Sequence, residues 1–146
     1  MTADGPDTSR TVDEETLRYV ARLFGHQDEV RTTSLFPSNK IESLVVTLDA
    51  DYYPSDIDEV RLEARVYTNG EFHVSYIERQ SGAQRRCRWD RHEQPHNSRD
   101  HFHPLPDASV EAAGDRTYPT EFTRVLETTV LPWIDDRVGQ LWESVW

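Results

Sequence analysis

A change in hydrophobic period constrains the fold of this chain more than any other feature of its sequence. Before residue 41, four apolar residues recur at helical spacing: Leu17, Val20, Ala21 and Phe24. After it, apolar and polar residues alternate at every second position, as in residues 60–66. Beyond Pro119 the helical spacing returns. This order predicts an α+β domain in which an N-terminal and a C-terminal helix pack on an antiparallel sheet.

The N-terminal helix has recognisable signals at both ends. Thr11 and Glu14 have the spacing of a capping box, and Gly25 provides a stop. Residues 1–10 are polar and rich in small residues, which predicts a disordered start. We interpret residues 11–146 as a single domain, because a chain of 146 residues is short for two.

Four strands are predicted between residues 41 and 92, and they would form a four-stranded antiparallel sheet. Asn69-Gly70 marks a hairpin. A two-residue turn there would mix the apolar and polar faces of the two strands. We therefore predict a three-residue loop with Gly70 in a left-handed conformation. The pairs expected from it are Val66 with Val74 and Ala64 with Tyr76.

The last predicted strand, from about Gln84 to His92, follows a turn at residues 80–83. Cys87 and Trp89 share one face of it. The other face is a polar stripe that consists of Arg86, Arg88, Asp90 and His92.

The predicted C-terminal helix is long, amphipathic and interrupted by Pro132. Proline removes a backbone donor and clashes with the preceding turn. We therefore expect either a kink or two helices, with Pro132 in the first turn of the second. Such a terminal helix is also a common dimer element, so a homodimer formed through it is one expectation.

The composition suggests a halophilic, archaeal source and a cytoplasmic protein. The net charge is −11, yet 15 of the 16 basic residues are arginine. An ordinary acidic mesophilic protein is the alternative. In molar salt, charges act mainly at contact range, so the acidity does not exclude a nucleic-acid partner. A single cysteine allows no internal disulfide, and neither a signal peptide nor a membrane span is recognisable.

Histidine is concentrated in one basic segment. Four of the six histidines lie between His92 and His103, and residues 79–103 hold six arginines against three acidic residues. Arg86 and Arg88 are suited to phosphate oxygens, and Asp90 could orient an imidazole. The alternative is a solvated strand face with ordinary ion pairs.

His101 and His103 flank Phe102, which would place them on the same side of an extended chain, roughly 6.5–7 Å apart. That spacing suits either two metal ligands or an acid and a base about a phosphodiester. His96 and Asp90 could complete a zinc or manganese site. The chain has no helical His-x-x-x-His or Cys-x-x-Cys pair, so we favour metal-free acid–base use and expect no cofactor. Histidines that bond backbone carbonyls are the structural alternative, which we favour for His26 and His73.

Three short motifs resemble the histidine-rich end of the TumE-like toxin family: Trp89-Asp90, Pro95-His96-Asn97 and His101-Phe-His103. The resemblance covers roughly residues 41–107. It implies the toxin component of a two-gene toxin–antitoxin module, bound by its cognate antitoxin. The positions that it carries over are His96, His101 and His103.

Two hypotheses follow from the sequence. The first is a toxin that cleaves RNA without a metal, an inference from the chemistry of arginine and histidine. Its catalytic residues would be His96, His101, His103 and Asp90, and its RNA contacts Arg86, Arg88, Arg91 and Trp89. The second is a non-catalytic interaction or metal-binding module. Its histidine loop would be structural or hold a metal, and its terminal helix would dock a partner.

Overall fold

The computed structural model describes residues 10–92 and 99–145, and these residues form the predicted α+β fold. The N-terminal helix α1 spans Glu14–Gly25. Seven strands follow: β1 (Val30–Phe36), β2 (Ser43–Leu48), β3 (Ile57–Val66), β4 (Phe72–Gln80), β5 (Ala83–Arg91), β6 (Asp100–His103) and β7 (Gly114–Asp115). The C-terminal helical region comprises α2 (Phe122–Val125), a π-helical turn (Leu126–Val130) and α3 (Leu131–Glu143).

In the part of the chain that the structure describes, the sheet has seven antiparallel strands in sequence order, so the prediction of four strands was wrong. The predicted strands are β2 to β5. Strand β1 carries Arg-Thr-Thr-Ser in its middle and lacks a clean apolar alternation. Strands β6 and β7 have only four and two residues. Such short segments take their conformation from their neighbours in the sheet rather than from their own pattern.

The hairpin between β3 and β4 has the predicted loop but a different register. The amide of Gly70 donates to the carbonyl of Tyr67 (3.0 Å), and Gly70 has a positive φ of 94°. Val66 pairs with Phe72 and Ala64 with Val74, so both predicted pairs were wrong by two residues. A shift of two residues keeps every side chain on its expected face. The assignment of buried and exposed residues therefore survives the error.

The start of α1 also differs from the prediction. Asp13, rather than Thr11, is the N-cap, and its carboxylate accepts hydrogen bonds from the amide (3.1 Å) and hydroxyl (2.8 Å) of Thr16. Arg10, predicted to be disordered, pairs with Glu71 (3.2 Å) and lies over the ring of Tyr67. The rest of the predicted disordered start lies outside the described residues.

The hydrophobic core lies between the helices and one face of the sheet. It contains Leu17 and Val20 of α1, alternate residues of β2 to β5, and five residues of the C-terminal helical region: Phe122, Val125, Leu126, Val130 and Ile134. Cys87 and Trp89 share one face of β5, as predicted, and both belong to this core. Burial raises the pKa of the Cys87 thiol, which keeps it protonated.

Pro132 lies in the first turn of α3, as the second of the two predictions for this region had it. The π-helical turn before it widens the helix where proline would otherwise clash with the preceding turn. Within the described ranges, none of the helices combines the length and the hydropathy needed to cross a bilayer.

Candidate active site

Strands β5 and β6 bring five of the predicted site residues together on the sheet face opposite the core: Arg86, Arg88, Asp90, His101 and His103. Because side chains alternate along a strand, Arg88 and Asp90 point away from the face that carries Cys87 and Trp89. In the register of the sheet, Asp90 is opposite His73 on one side and His101 on the other. Arg88 is opposite His103. Asp90 is therefore the centre of the arrangement.

Among residues 10–92 and 99–145, four histidines surround the Asp90 carboxylate. The nearest is His103, whose Nε2 is 3.2 Å from Oδ2. Nε2 of His92 lies 3.6 Å and Nδ1 of His73 lies 3.9 Å from the same oxygen. Nδ1 of His101 lies 3.9 Å from Oδ1. We call Asp90 and these four residues the histidine cluster. Imidazole exchanges protons near neutral pH, so the histidine cluster can move protons around a fixed negative charge.

The Asp90 side chain is fully buried and only partly paired. Arg88 Nε donates a hydrogen bond to Oδ2 at 2.8 Å. Oδ1 has no hydrogen-bond partner among residues 10–92 and 99–145. An unsatisfied buried acceptor costs about 1–3 kcal/mol, and more when it is charged. The unpaired Oδ1 therefore costs free energy, and binding of a proton or a cation to it would reduce that cost.

The histidines differ in their surroundings. Burial and, to a smaller extent, the neighbouring His92 lower the pKa of His73 to about 4 against the opposing effect of Asp90. His73 is consequently neutral at neutral pH. Both ring nitrogens of His103 face acceptors, since Nδ1 lies 3.2 Å from the carbonyl of Ser109 and Nε2 faces Asp90.

His101 is set between two carboxylates and is accessible from solvent. Its Nε2 lies 3.6 Å from Asp115 Oδ1 on β7, and its side chain is 21% exposed. The hydroxyl of Tyr118 donates to its backbone carbonyl. The ring centroids of His101 and His103 are 6.3 Å apart. The two rings therefore lie on one side of β6 at the predicted spacing.

Trp89 and Arg91, both predicted to contact nucleic acid, face the core instead. Each is 2% exposed. Trp89 packs against Phe102 and Trp133. This burial argues against contact of either residue with RNA, and we correct that part of the predicted interface. Arg86 is exposed, and strand alternation places it on the same face as Arg88.

Arg91 anchors β6 from the core side. Its guanidinium makes two hydrogen bonds to Asp100 (2.7 and 3.1 Å) and donates to the carbonyl of Tyr118 (3.0 Å). The same Asp100 carboxylate accepts a hydrogen bond from the amide of Tyr118 (2.8 Å). Hydrogen bonding and the charge of Arg91 hold the pKa of Asp100 below its usual value, although burial alone would raise it. The buried pair fixes the strand that carries His101 and His103.

The structure adds His73, for which the sequence favoured a structural role, and it places His92 against Asp90. The signal that could have found His73 is the turn at Ser81 and Gly82, where Gln80 pairs with Ala83. His73 is seven residues before Gln80 and Asp90 is seven residues after Ala83, so this turn places the two opposite each other. His96 lies outside the described residues. His26 follows α1, and its amide bonds the carbonyl of Leu23 (3.3 Å).

Three members of the histidine cluster could also hold a metal ion. The possible donor atoms of His73, Asp90 and His92 all lie within 4.8 Å of one another. Two imidazoles and one carboxylate make a donor set that divalent transition metals accept.

The histidine cluster lies within a region that matches a known protein family. A family model described as Toxin TumE matches residues 18–138. This chain belongs to the TumE toxin family. The match confirms the resemblance stated from the sequence, and it extends from α1 into α3 rather than over the histidine segment alone. No curated protein and no solved structure matches the chain.

Proposed function

We propose that this TumE family member is the toxin of a toxin–antitoxin module and that it cleaves RNA at the histidine cluster. One observation carries the proposal: His101 and His103 lie side by side on β6 against the buried carboxylate of Asp90, next to Arg88. Membership in a toxin family supports the biological role. Paired histidines beside a guanidinium are chemically suited to breaking a phosphodiester.

In the proposed reaction, His101 accepts the proton of a ribose 2′-hydroxyl, because it is the more accessible of the two histidines. The 2′-oxygen attacks phosphorus and the bond to the 5′-oxygen breaks. His103 gives a proton to that leaving oxygen, which produces a 2′,3′-cyclic phosphate and a 5′-hydroxyl end. The carboxylate of Asp90 lies 3.2 Å from Nε2 of His103, where it can orient the ring. These proton transfers need no metal, and His96 stays a further predicted catalytic residue.

Arg86 and Arg88 are the proposed phosphate contacts. A guanidinium presents a planar set of donors that matches phosphate oxygens. Arg88 keeps part of its side chain exposed while it bonds Asp90, so it can contact phosphate and carboxylate together. Contacts of this kind keep their strength in high salt better than long-range attraction does. An RNA target implies action in the cytoplasm, and the cognate antitoxin is the proposed protein partner.

A second candidate function is a non-catalytic interaction module with structural histidines, as the sequence analysis allowed. The hydrogen bond between His103 and the carbonyl of Ser109 is of that structural kind. A homodimer through the C-terminal helix also stays a proposal. Much of the apolar face of that helix already packs in the core, whereas Leu131, Trp142 and Val145 remain exposed.

Inducible expression in a halophilic archaeal host tests the proposed function. Growth and total RNA integrity are followed for the wild type, the double variant His101→Ala with His103→Ala, and the exposed-histidine control His26→Ala. We expect growth arrest with RNA fragmentation in the wild type and the control, and neither in the double variant. Purified double variant should keep a cooperative unfolding transition.

The other outcomes separate the two candidate functions. Arrest with intact RNA would discard the ribonuclease chemistry and keep the toxin. Equal RNA fragmentation by the double variant would remove His101 and His103 from the mechanism. Absence of arrest in the wild type would favour the interaction module.

A further inference from the structure

We propose that His73, Asp90 and His92 bind one divalent transition-metal ion of the zinc class. This site is on the β4 side of Asp90, whereas the proposed proton transfers use His101 and His103 on the β6 side. The inference therefore goes beyond the proposed function and does not depend on RNA cleavage.

The first observation is the spacing of the donor atoms. In tetrahedral coordination with bonds of about 2.1 Å, neighbouring ligand atoms are about 3.4 Å apart. Nε2 of His92 and Nδ1 of His73 lie 3.6 and 3.9 Å from Asp90 Oδ2. All three donors are within 4.8 Å of one another. Small side-chain rotations would bring them to coordination distance without movement of the strands.

The second observation is the incomplete pairing of the Asp90 carboxylate. The carboxylate is fully buried, and Oδ1 has no hydrogen-bond partner within the described ranges. Oδ2, from which the distances to His73 and His92 are measured, already accepts a hydrogen bond from Arg88 and faces Nε2 of His103. A rotation of the carboxylate would bring Oδ1 to the ion and leave Oδ2 to these two partners. A bound cation would remove the energetic cost of the unsatisfied oxygen, which gives the site a physical reason to bind one.

The third observation concerns which ion fits and how it enters. Two imidazole nitrogens and one carboxylate oxygen suit zinc or cobalt, whereas magnesium prefers oxygen ligands and water. The side chains of His73 and His92 are 25% and 34% exposed, so solvent reaches both rings. Their centroids are 4.9 Å apart and the rings meet edge to face. Three protein ligands leave a fourth position for water or an anion.

Calorimetric titration of metal-free protein with Zn²⁺ tests the site. Visible absorption with Co²⁺ reports its geometry. We expect one ion per chain, an intense tetrahedral Co²⁺ spectrum and no heat with Mg²⁺. His73→Gln and His92→Ala should each weaken Zn²⁺ binding by more than about 100-fold. That loss exceeds the 10–100-fold cost of removing a residue that only supports a ligand.

Two matched controls make the ligand assignment falsifiable. His26→Ala should bind Zn²⁺ as the wild type does, and so should His101→Ala with His103→Ala. Loss of binding in that double variant, with retention in His73→Gln and His92→Ala, would overturn the assignment. The site itself would be overturned if the wild type bound no Zn²⁺, or if none of the histidine variants changed Zn²⁺ binding. Unfolding of each metal-free variant distinguishes loss of ligands from loss of fold.

Discussion

The sheet holds two fully buried carboxylates on its opposite faces, and their partners differ. Glu78 on β4 faces the core, where Arg85 Nε lies 2.8 Å from Oε1 and the Tyr76 hydroxyl donates to Oε2 at 2.6 Å. Arg137 of α3 contacts both oxygens. Asp90 lies on the opposite face, and among the described residues it has one guanidinium and four imidazoles around it and an oxygen without a hydrogen-bond partner.

The comparison shows that a buried carboxylate can either stabilise the fold or take part in proton transfer. Arginine stays protonated at any ordinary pH, so the Glu78 contacts are permanent and tie α3 to the sheet. Imidazoles can act as donors or acceptors of a proton, so the contacts of Asp90 can change. Burial alone would raise the pKa of Glu78, but the hydrogen bonds from Arg137 and Tyr76 and the charge of Arg85 hold it below its usual value.

The largest expected effect on stability comes from the contacts of Glu78, which tie α3 to the sheet. Arg137→Ala leaves Glu78 buried with a deficit of positive charge, and removing one partner of a buried pair typically costs about 3–5 kcal/mol. Chemical denaturation should show this loss, and adding Glu78→Gln should restore part of it. Arg124→Ala, which removes an exposed arginine from α2, is the control. A loss below about 1 kcal/mol would contradict the role of the Glu78 contacts.

A smaller effect is expected in the pH dependence of stability. Because the folded pKa of Glu78 is depressed, its stabilisation is complete above the usual carboxyl pKa of 4.5 and is lost as the pH falls through the folded value. The free energy of unfolding of Glu78→Gln should therefore fall less steeply with acid than that of the wild type. A residual slope should remain, since the pKa of Asp100 is depressed as well. Parallel pH curves for the two proteins would refute the assignment.

The smallest expected effect on stability is at Asp90, the carboxylate of the histidine cluster. Asp90→Asn removes a buried, half-paired charge while keeping an acceptor for Arg88, so we expect a change of less than about 1 kcal/mol. RNA cleavage should nevertheless fall to background. Denaturation and an RNA cleavage assay on the same preparation measure both, with Asp135→Asn on α3 as the exposed control. If Asp90→Asn destabilised the fold as much as Arg137→Ala, the two carboxylates would not differ in role.

Hydrophobic period and turn residues were enough to predict the helices and strands β2 to β5, and they reduced the position of Pro132 to two alternatives. They were not enough for the sheet edges, because β6 and β7 are too short to carry a period of their own. The face of Arg91 could have been read from strand alternation. Its partner Asp100 could not, since the segment between them has no pattern that brings the two together.

The site is assembled from residues whose contacts depend on register. The spacing of His101 and His103 is local and was predicted correctly. The approach of His73 to Asp90 depends on the turn at Ser81 and Gly82, both of which have positive φ. The sequence lacks a helical His-x-x-x-His or Cys-x-x-Cys pair. That absence does not bear on the proposed metal site, because its ligands come from β4 and the end of β5.

The anchor formed by Arg91, Asp100 and Tyr118 bears on the genetics of this toxin. These residues hold β6 in place, and none of them is a proposed catalytic residue. A selection for cells that survive induction would therefore recover two classes of inactivating alleles. One would map to the histidines and Asp90. The other would map to this anchor, where a single substitution would inactivate the toxin without changing any proposed catalytic residue.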